Sequence, residues 1–286
     1  MLYVPANVAR FVNKAAATGA DAVILDLEDS VPLANKAEAR DALAGAVATC
    51  RAGADRMAVL ARVNRPLRLA VPDLVAAVAA GVDGVLLTKV HGPEHVALVA
   101  ELLDELEAER PPGTPRRAPT ALVPVVETPR AALRLEAIAA ASPRIVGMLV
   151  GAEDLAAECG STADDPLMVG VKRQMVLAAA AAGIAPLGTL GSVADFRDPE
   201  AVRSVAEQAR RSGFTGASCI HPALVPVLNA AFSPGEAELA LARRQLAAAE
   251  EAAREGRGSF TVDGRMVDEP ILRRARRLVA AAEGSV

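Results

Sequence analysis

The chain has 286 residues, 52% hydrophobic and 23% charged, with a formal net charge of −4, a make-up that excludes the disordered class. Without a basic block to outweigh its acidic residues, it is a poor match for nucleic acid. The three cysteines, Cys50, Cys159 and Cys219, fit neither a disulfide framework nor a zinc spacing. No apolar run is long enough to span a membrane, so a soluble protein of the reducing cytoplasm is expected.

Short, continuously apolar runs alternate with longer helical stretches along the chain. The candidate strands are Leu2–Val4, Ala22–Leu27, Ala58–Val63, Gly84–Val90, Ala121–Val126, Ile145–Val150, Ala185–Leu190 and Ala217–Ile220. Apolarity without alternation is expected of parallel strands buried on both faces. The intervening stretches carry helix punctuation. Asn35 and Glu38 have capping-box spacing. Pro72 is placed to open a helix and Gly81 to close it. Thr128-Pro129 and Asp198-Pro199 pair a cap with a proline at the first helical position, and Gly183 and Gly213 stand where helices end.

Eight alternating β and α units over residues 1–229 predict a closed (β/α)8 TIM barrel. No Gly-x-Gly-x-x-Gly follows the first strand, which weakens a dinucleotide-binding sheet. Residues 230–286 are predicted to form a helical extension that packs on the barrel or on a neighbour. In it a capping box, Ser233-Pro234-Gly235-Glu236, opens a helix running to about Gly256. A turn at Gly256–Gly258, a short segment Phe260–Met266 and a last helix from about Pro270 follow.

A barrel places its chemistry at the carboxyl ends of its strands, and here nearly every strand runs out into polar residues. The second leads to Asp26, Glu28 and Asp29, the third to Arg62 and Asn64, the fourth to Lys89 and the fifth to Glu127-Thr128. The sixth leads to Gly151-Ala152-Glu153-Asp154, the seventh to Ser192 and Asp195, and the eighth to His221-Pro222. Carboxylates without sulfur ligands suit Mg2+ or Mn2+. Glu127 and the Glu153-Asp154 pair, on adjacent strands, could chelate one ion; the plainer alternative is that such carboxylates cap helices. Arg62 could hold a substrate carboxylate or a developing enolate oxygen, or it could form a structural ion pair with Asp26, Glu28 or Glu127. Lys89 makes a weaker case of the same kind, and a Schiff-base role lacks any neighbour to depress its pKa. His221 reads as structural, His91 and His95 as exposed helix-start residues, and Cys219 as core.

These motifs, in this order, resemble the family of proteins similar to the citrate lyase beta subunit, which includes malyl-CoA and citramalyl-CoA lyases. The resemblance runs through Leu2-Tyr3-Val4-Pro5, Ile24 to Val31, Lys36 with Ala39-Arg40, Arg62-Val63-Asn64 and Val126-Glu127-Thr128. It continues through Gly151-Ala152-Glu153-Asp154-Leu155, Ile220-His221-Pro222 and Gly264 to Asp268. It implies a barrel of the phosphoenolpyruvate/pyruvate type and reversible Mg2+-dependent cleavage of a 3-hydroxyacyl-CoA. The products would be acetyl- or propionyl-CoA and a 2-oxo acid, glyoxylate or pyruvate.

The resemblance also assigns roles. It makes Glu127 and Asp154 metal ligands, with Glu28, Asp29 and Gly151 around the substrate. It makes Arg62 the group that steadies the enolate and Asp268 the acid/base, delivered to a neighbouring subunit of a homo-oligomer, a trimer or hexamer. Tyr3, Arg10, Lys14, Ser218 and Cys219 match positions against CoA. Departures are Ala6-Asn7-Val8-Ala9 after the first strand, Thr88 before Lys89, His91-Gly92 after it, and Gly188 where many members carry Asp. The competing functions are a citrate lyase beta subunit acting on a carrier-bound citryl group, a malyl-CoA thioesterase, and a catalytically silent acyl-CoA-binding barrel.

Overall fold

The computed structural model describes residues 1–54, 56–109, 118–191, 197–254 and 256–283. Ser192 and Asp195, expected at the rim, lie outside them. One sheet holds seven parallel strands whose spatial order is the chain order. They are β1 (Leu2–Pro5), β2 (Ala22–Asp26), β3 (Ala58–Val63), β4 (Gly84–Leu87), β5 (Ala121–Val126), β6 (Gly147–Val150) and β7 (Ala185–Pro186). Helices between the strands supply the crossovers that parallel pairing requires, which makes this an α/β fold. The sheet is curled, because residues 216–219 touch both of its ends: Leu187 bridges Gly216, and Leu2 bridges Cys219.

Both faces are buried, which is why the strands read as unbroken apolar runs. Ala22, Ile24, Leu60, Leu86, Val123, Val125 and Leu149 form one cluster, with Tyr3 and Leu187 against it. The residues between them, such as Val23, Leu25, Val59, Ala61 and Val85, are fully buried on the opposite, helix-covered face. A step of two residues beyond the inner cluster reaches Asp26 on β2, Arg62 on β3, Glu127 after β5 and Gly151 after β6. The pleat therefore turns the same row from apolar to polar at the carboxyl end of the sheet.

The predicted eighth strand, Ala217–Ile220, is not a regular strand; its segment makes only isolated bridges. The fourth strand stops at Leu87 rather than Val90. The Thr88 hydroxyl turns to donate to the Val63 carbonyl at 2.9 Å, and Lys89 takes a left-handed φ of 48°. The seventh strand keeps two residues, since Pro186 has no amide to donate and Gly188 sits at φ 127°.

Thr128 and Asp198 cap their helices as expected, accepting from the Ala131 and Ala201 amides at 3.2 and 3.0 Å. Gly81 and Gly183 close theirs in the left-handed conformation. Two signals mislead. Asn35 precedes the helix Lys36–Gly53, but its amide group donates to the Glu38 carboxylate instead of capping the backbone. Pro72 lies inside the helix Leu67–Ala80, which starts upstream where the Pro66 carbonyl accepts from Leu69 and Ala70.

Residues from 230 onward form a second compact unit. A helix, Glu236–Arg254, is followed by a β-hairpin of Phe260–Val262 with Arg265–Val267 and a helix, Glu269–Ala282. The hairpin occupies the short segment expected between the two helices. Its turn residues, Asp263 and Gly264, both have positive φ, as a two-residue Asp-Gly hairpin turn requires. No helix among the described residues is long and apolar enough to cross a membrane.

Candidate active site

Register brings the first pair together. Asp26 lies directly opposite Arg62 across the β2–β3 ladder. Its Oδ1 accepts from Arg62 Nε at 2.7 Å and its Oδ2 from Nη2 at 2.6 Å, a two-pronged pair. Asp26 is fully buried, and the Glu28 and Ser30 amides also donate to it. Burial alone would raise its pKa, but Arg62 and these donors hold it below the usual range. The remaining Arg62 nitrogen, Nη1, points at Glu28 (3.1 Å) and Asp29 (3.4 Å), and the guanidinium lies over the Tyr3 ring. The predicted structural ion pair thus exists, and Arg62 also lines the main cavity.

Lys89 is the second organiser. Its ammonium lies 2.7 Å from Glu28, 3.1 Å from Asp154 and 3.7 Å from Asp29. Its left-handed backbone aims its own amide at Glu127 Oε2, 2.7 Å away. Glu28 and Asp154 outweigh burial and raise the Lys89 pKa, the opposite of what a Schiff-base lysine needs. Below this layer, buried Lys36 donates to the Leu27 and Glu28 carbonyls, and Asn64 ties the Leu27 carbonyl to buried Asp73. These bonds fix the backbone from which Glu28 projects.

Burial pushes the Glu127 carboxyl up to about 7; the Lys89 amide and ammonium oppose this, while Glu28 and Asp154 reinforce it. Burial likewise holds Glu28 above its ordinary range, against Lys89 and Arg62. Gly151 packs directly on the Glu127 carboxylate, and a Cβ there would collide with it. Among the described residues no three acidic, histidine or cysteine side chains converge closely enough to ligate a metal by themselves. The donor set instead fits an ion that takes two carboxylates and keeps water and substrate oxygens, as Mg2+ does.

A cavity of about 750 Å3 adjoins this rim. It is lined by Tyr3, Arg10, Lys14, Asp26, Arg62 and His221, so three of the five residues expected against CoA share it with the reacting end. The other two, Ser218 and Cys219, line a separate cavity of about 230 Å3. Cys219 is buried, as expected of core. His221 caps a short 3-10 turn by accepting from the Ala223 amide, a structural role. His91 is exposed, but His95 is half-buried inside the helix Pro93–Ala108, and burial holds it down to about 4. Asp268 caps the last helix, accepting from the Ile271 amide at 3.4 Å. Lys172 is a buried cation in the smaller cavity that the sequence reading did not single out. Its spacing with Met168, Met175 and Ala179 on one helix face was the signal.

Residues 1–222 match the sequence profile of the HpcH/HpaI aldolase/citrate lyase family. The chain is 36% identical over 285 residues to a (3S)-malyl-CoA thioesterase of Cereibacter sphaeroides, covering 99% of this chain and 94% of that protein. It is 32% identical to the citrate lyase subunit beta of Escherichia coli, covering 99% and 92%. The crystal structure of CitE from Mycobacterium tuberculosis in complex with magnesium, acetoacetate and coenzyme A superposes with a TM-score of 0.78 at 33% identity, covering 99% of this chain and 97% of that one.

Proposed function

Because this chain belongs to the HpcH/HpaI aldolase/citrate lyase family, we propose that it is a Mg2+-dependent lyase acting beside the thioester of a small 3-hydroxyacyl-CoA. The observation that carries the reading is the convergence of Glu28, Glu127, Asp154, Arg62 and Lys89 on one rim, next to a cavity that also holds Arg10 and Lys14. The sheet is taken to close into an eight-stranded barrel, with residues 216–219 in the eighth position, which the bridges at Gly216 and Cys219 support.

Glu127 and Asp154 are the residues that would hold the ion. When bound, Mg2+ would act as a Lewis acid on the oxygens of a 2-oxo acid such as glyoxylate or pyruvate. Arg62, preset by Asp26, places a cation where negative charge gathers on the thioester oxygen as the C–C bond breaks or forms. Lys89 sets the Glu127 carboxylate through its amide and neutralises Glu28 and Asp154 through its ammonium. Arg10 and Lys14, which line the same cavity, suit the phosphates of CoA. Asp268 is proposed as the acid/base that takes the hydroxyl proton in cleavage, presented to the barrel of a neighbouring subunit.

A second reading, hydrolysis of the thioester, is favoured by the 36% identity to a (3S)-malyl-CoA thioesterase. One experiment separates them. The protein is incubated with Mg2+ and malyl-, methylmalyl- and citramalyl-CoA, and products are identified by mass spectrometry. Glyoxylate or pyruvate with a shortened acyl-CoA supports the lyase; free CoA with an intact hydroxy acid supports the thioesterase. Neither product from any thioester would defeat both.

A further inference from the structure

We propose that the smaller cavity is a carboxylate pocket with Lys172 as its cation, so that the substrate carries an acidic group additional to the one placed at the metal. This rests on the acyl-CoA reading above and narrows it.

Lys172 lies on the helix Pro166–Ala182 and is only 6% exposed. Its ammonium has three N–H donors, and its hydrogen bond is to the Leu190 carbonyl at 3.2 Å. No carboxylate of the described residues pairs with it; Glu153, on the cavity wall but exposed, acts on it only at longer range. An ammonium buried without a counter-ion is costly to keep. The neighbouring cations at this end of the sheet have anionic or multiple carbonyl partners: half-buried Arg62 has Asp26, half-buried Lys89 has Glu28, and buried Lys36 has two carbonyls. Lys172 is the exception, and it faces space rather than packing.

That space is about 230 Å3, against roughly 30 Å3 for a water molecule, so it has room for a carboxylate-bearing carbon and its hydration. Tyr3 and Ile220 line both cavities. A ligand whose reacting end lies at Arg62 therefore needs only to pass Tyr3 to bring an acid group to Lys172. The Thr189 hydroxyl on the wall already donates its proton to Gly191, and Lys172 is the cation of the lining, with the Ser218 hydroxyl as a further donor for an anion. The acid could belong to either fragment, the 2-oxo acid or the acyl thioester.

The test is calorimetric titration of the Mg2+-loaded protein with two matched pairs: pyruvate against oxaloacetate, and acetyl-CoA against malonyl-CoA. In one pair the member with the added carboxylate should bind about tenfold to a hundredfold more tightly, as a charge-assisted hydrogen bond provides. The pair that shows this identifies the fragment bearing the acid. Lys172→Met, of similar length and suited to burial, should erase the ratio and leave the plain member's affinity unchanged, while Lys172→Arg should retain much of it. Equal binding within both pairs, a ratio that survives in Lys172→Met, or no binding of any of the four compounds would overturn the pocket. Failure of the product assay above with every thioester would defeat the acyl-CoA reading itself, and these ratios would still decide the pocket.

Discussion

Two arginines enter the sheet at opposite ends and meet acidic partners in different ways. Arg144, at the amino end before β6, donates to Glu107, to Asp104 and to the Thr120 carbonyl. Its anions come from the helix Pro93–Ala108, so the cluster fastens a helix to two strand ends. Arg62, at the carboxyl end, meets Asp26 on the neighbouring strand and Glu28 just beyond it, and its guanidinium also borders a cavity. At the amino end one guanidinium serves two carboxylates of a single helix and a strand carbonyl, away from both cavities. At the carboxyl end Asp26, Glu28, Asp29, Glu127 and Asp154 gather around Arg62 and Lys89 beside an open cavity, so the cluster is built to receive something more. On the proposed reading, the same ion-pair chemistry serves stability at one end of the sheet and reaction at the other.

The comparison breaks most visibly at the proposed metal ligands. Glu127→Gln and Asp154→Asn should each abolish turnover and Mg2+ binding by calorimetry with the circular dichroism unchanged; full activity in excess EDTA would sink the assignment. Next in size, Arg62→Ala should lower kcat by about 10^2–10^3, the usual cost of one preorganised oxyanion donor. Arg62→Lys should also be poor, because a point charge does not reproduce a two-pronged fork. Near wild-type kinetics in Arg62→Ala would make the two arginines equivalent and the contrast empty.

Gly151→Ala is gentler. Its backbone, at φ −82° and ψ 91°, tolerates alanine, so the expected effect is a displaced Glu127 carboxylate and weakened Mg2+ affinity with no loss of melting temperature. Retained affinity would show that the carboxylate yields freely. The smallest catalytic effect belongs to Arg144→Ala, which should leave kcat unchanged and cost about 1–3 kcal/mol in denaturant unfolding. Burial opposes ionisation of Glu107, but Arg144 and the Thr120 amide outweigh it and hold the carboxyl down to about 2. Its contribution to stability is therefore complete above the ordinary value of 4.5 and is lost as pH falls toward about 2. The variant should lack that part of the acid slope, and an identical slope would show that Glu107 is held by something else.

Much of this was readable in the residues. Strands buried on both faces announce themselves as unbroken apolar runs, and Thr128-Pro129 and Asp198-Pro199 marked helix starts because the cap and the proline act locally. What escaped depends on partners distant in sequence or on conformation. The sequence offered Asp26, Glu28 and Glu127 as partners of Arg62, but which of them it meets two-pronged follows only from the register of the assembled sheet. Lys89 looks like any strand-end lysine until its positive φ turns its amide toward Glu127. Lys172 sits beside Arg173 in sequence and reads as surface charge, yet one points inward and the other out. The hairpin after Gly258 was missed although Asp263-Gly264 is its proper signal. The role of Asp268 came from resemblance alone; its local position explains only a helix cap.

The contact between Gly151 and Glu127 also constrains how such a chain can drift. A side chain at position 151 cannot appear first without striking the carboxylate. Either the carboxylate gives way and the proposed ion is held more weakly, or Glu127 is shortened beforehand and the proposed ligand is surrendered. The two residues are thereby coupled, so that a change at either is felt at the other.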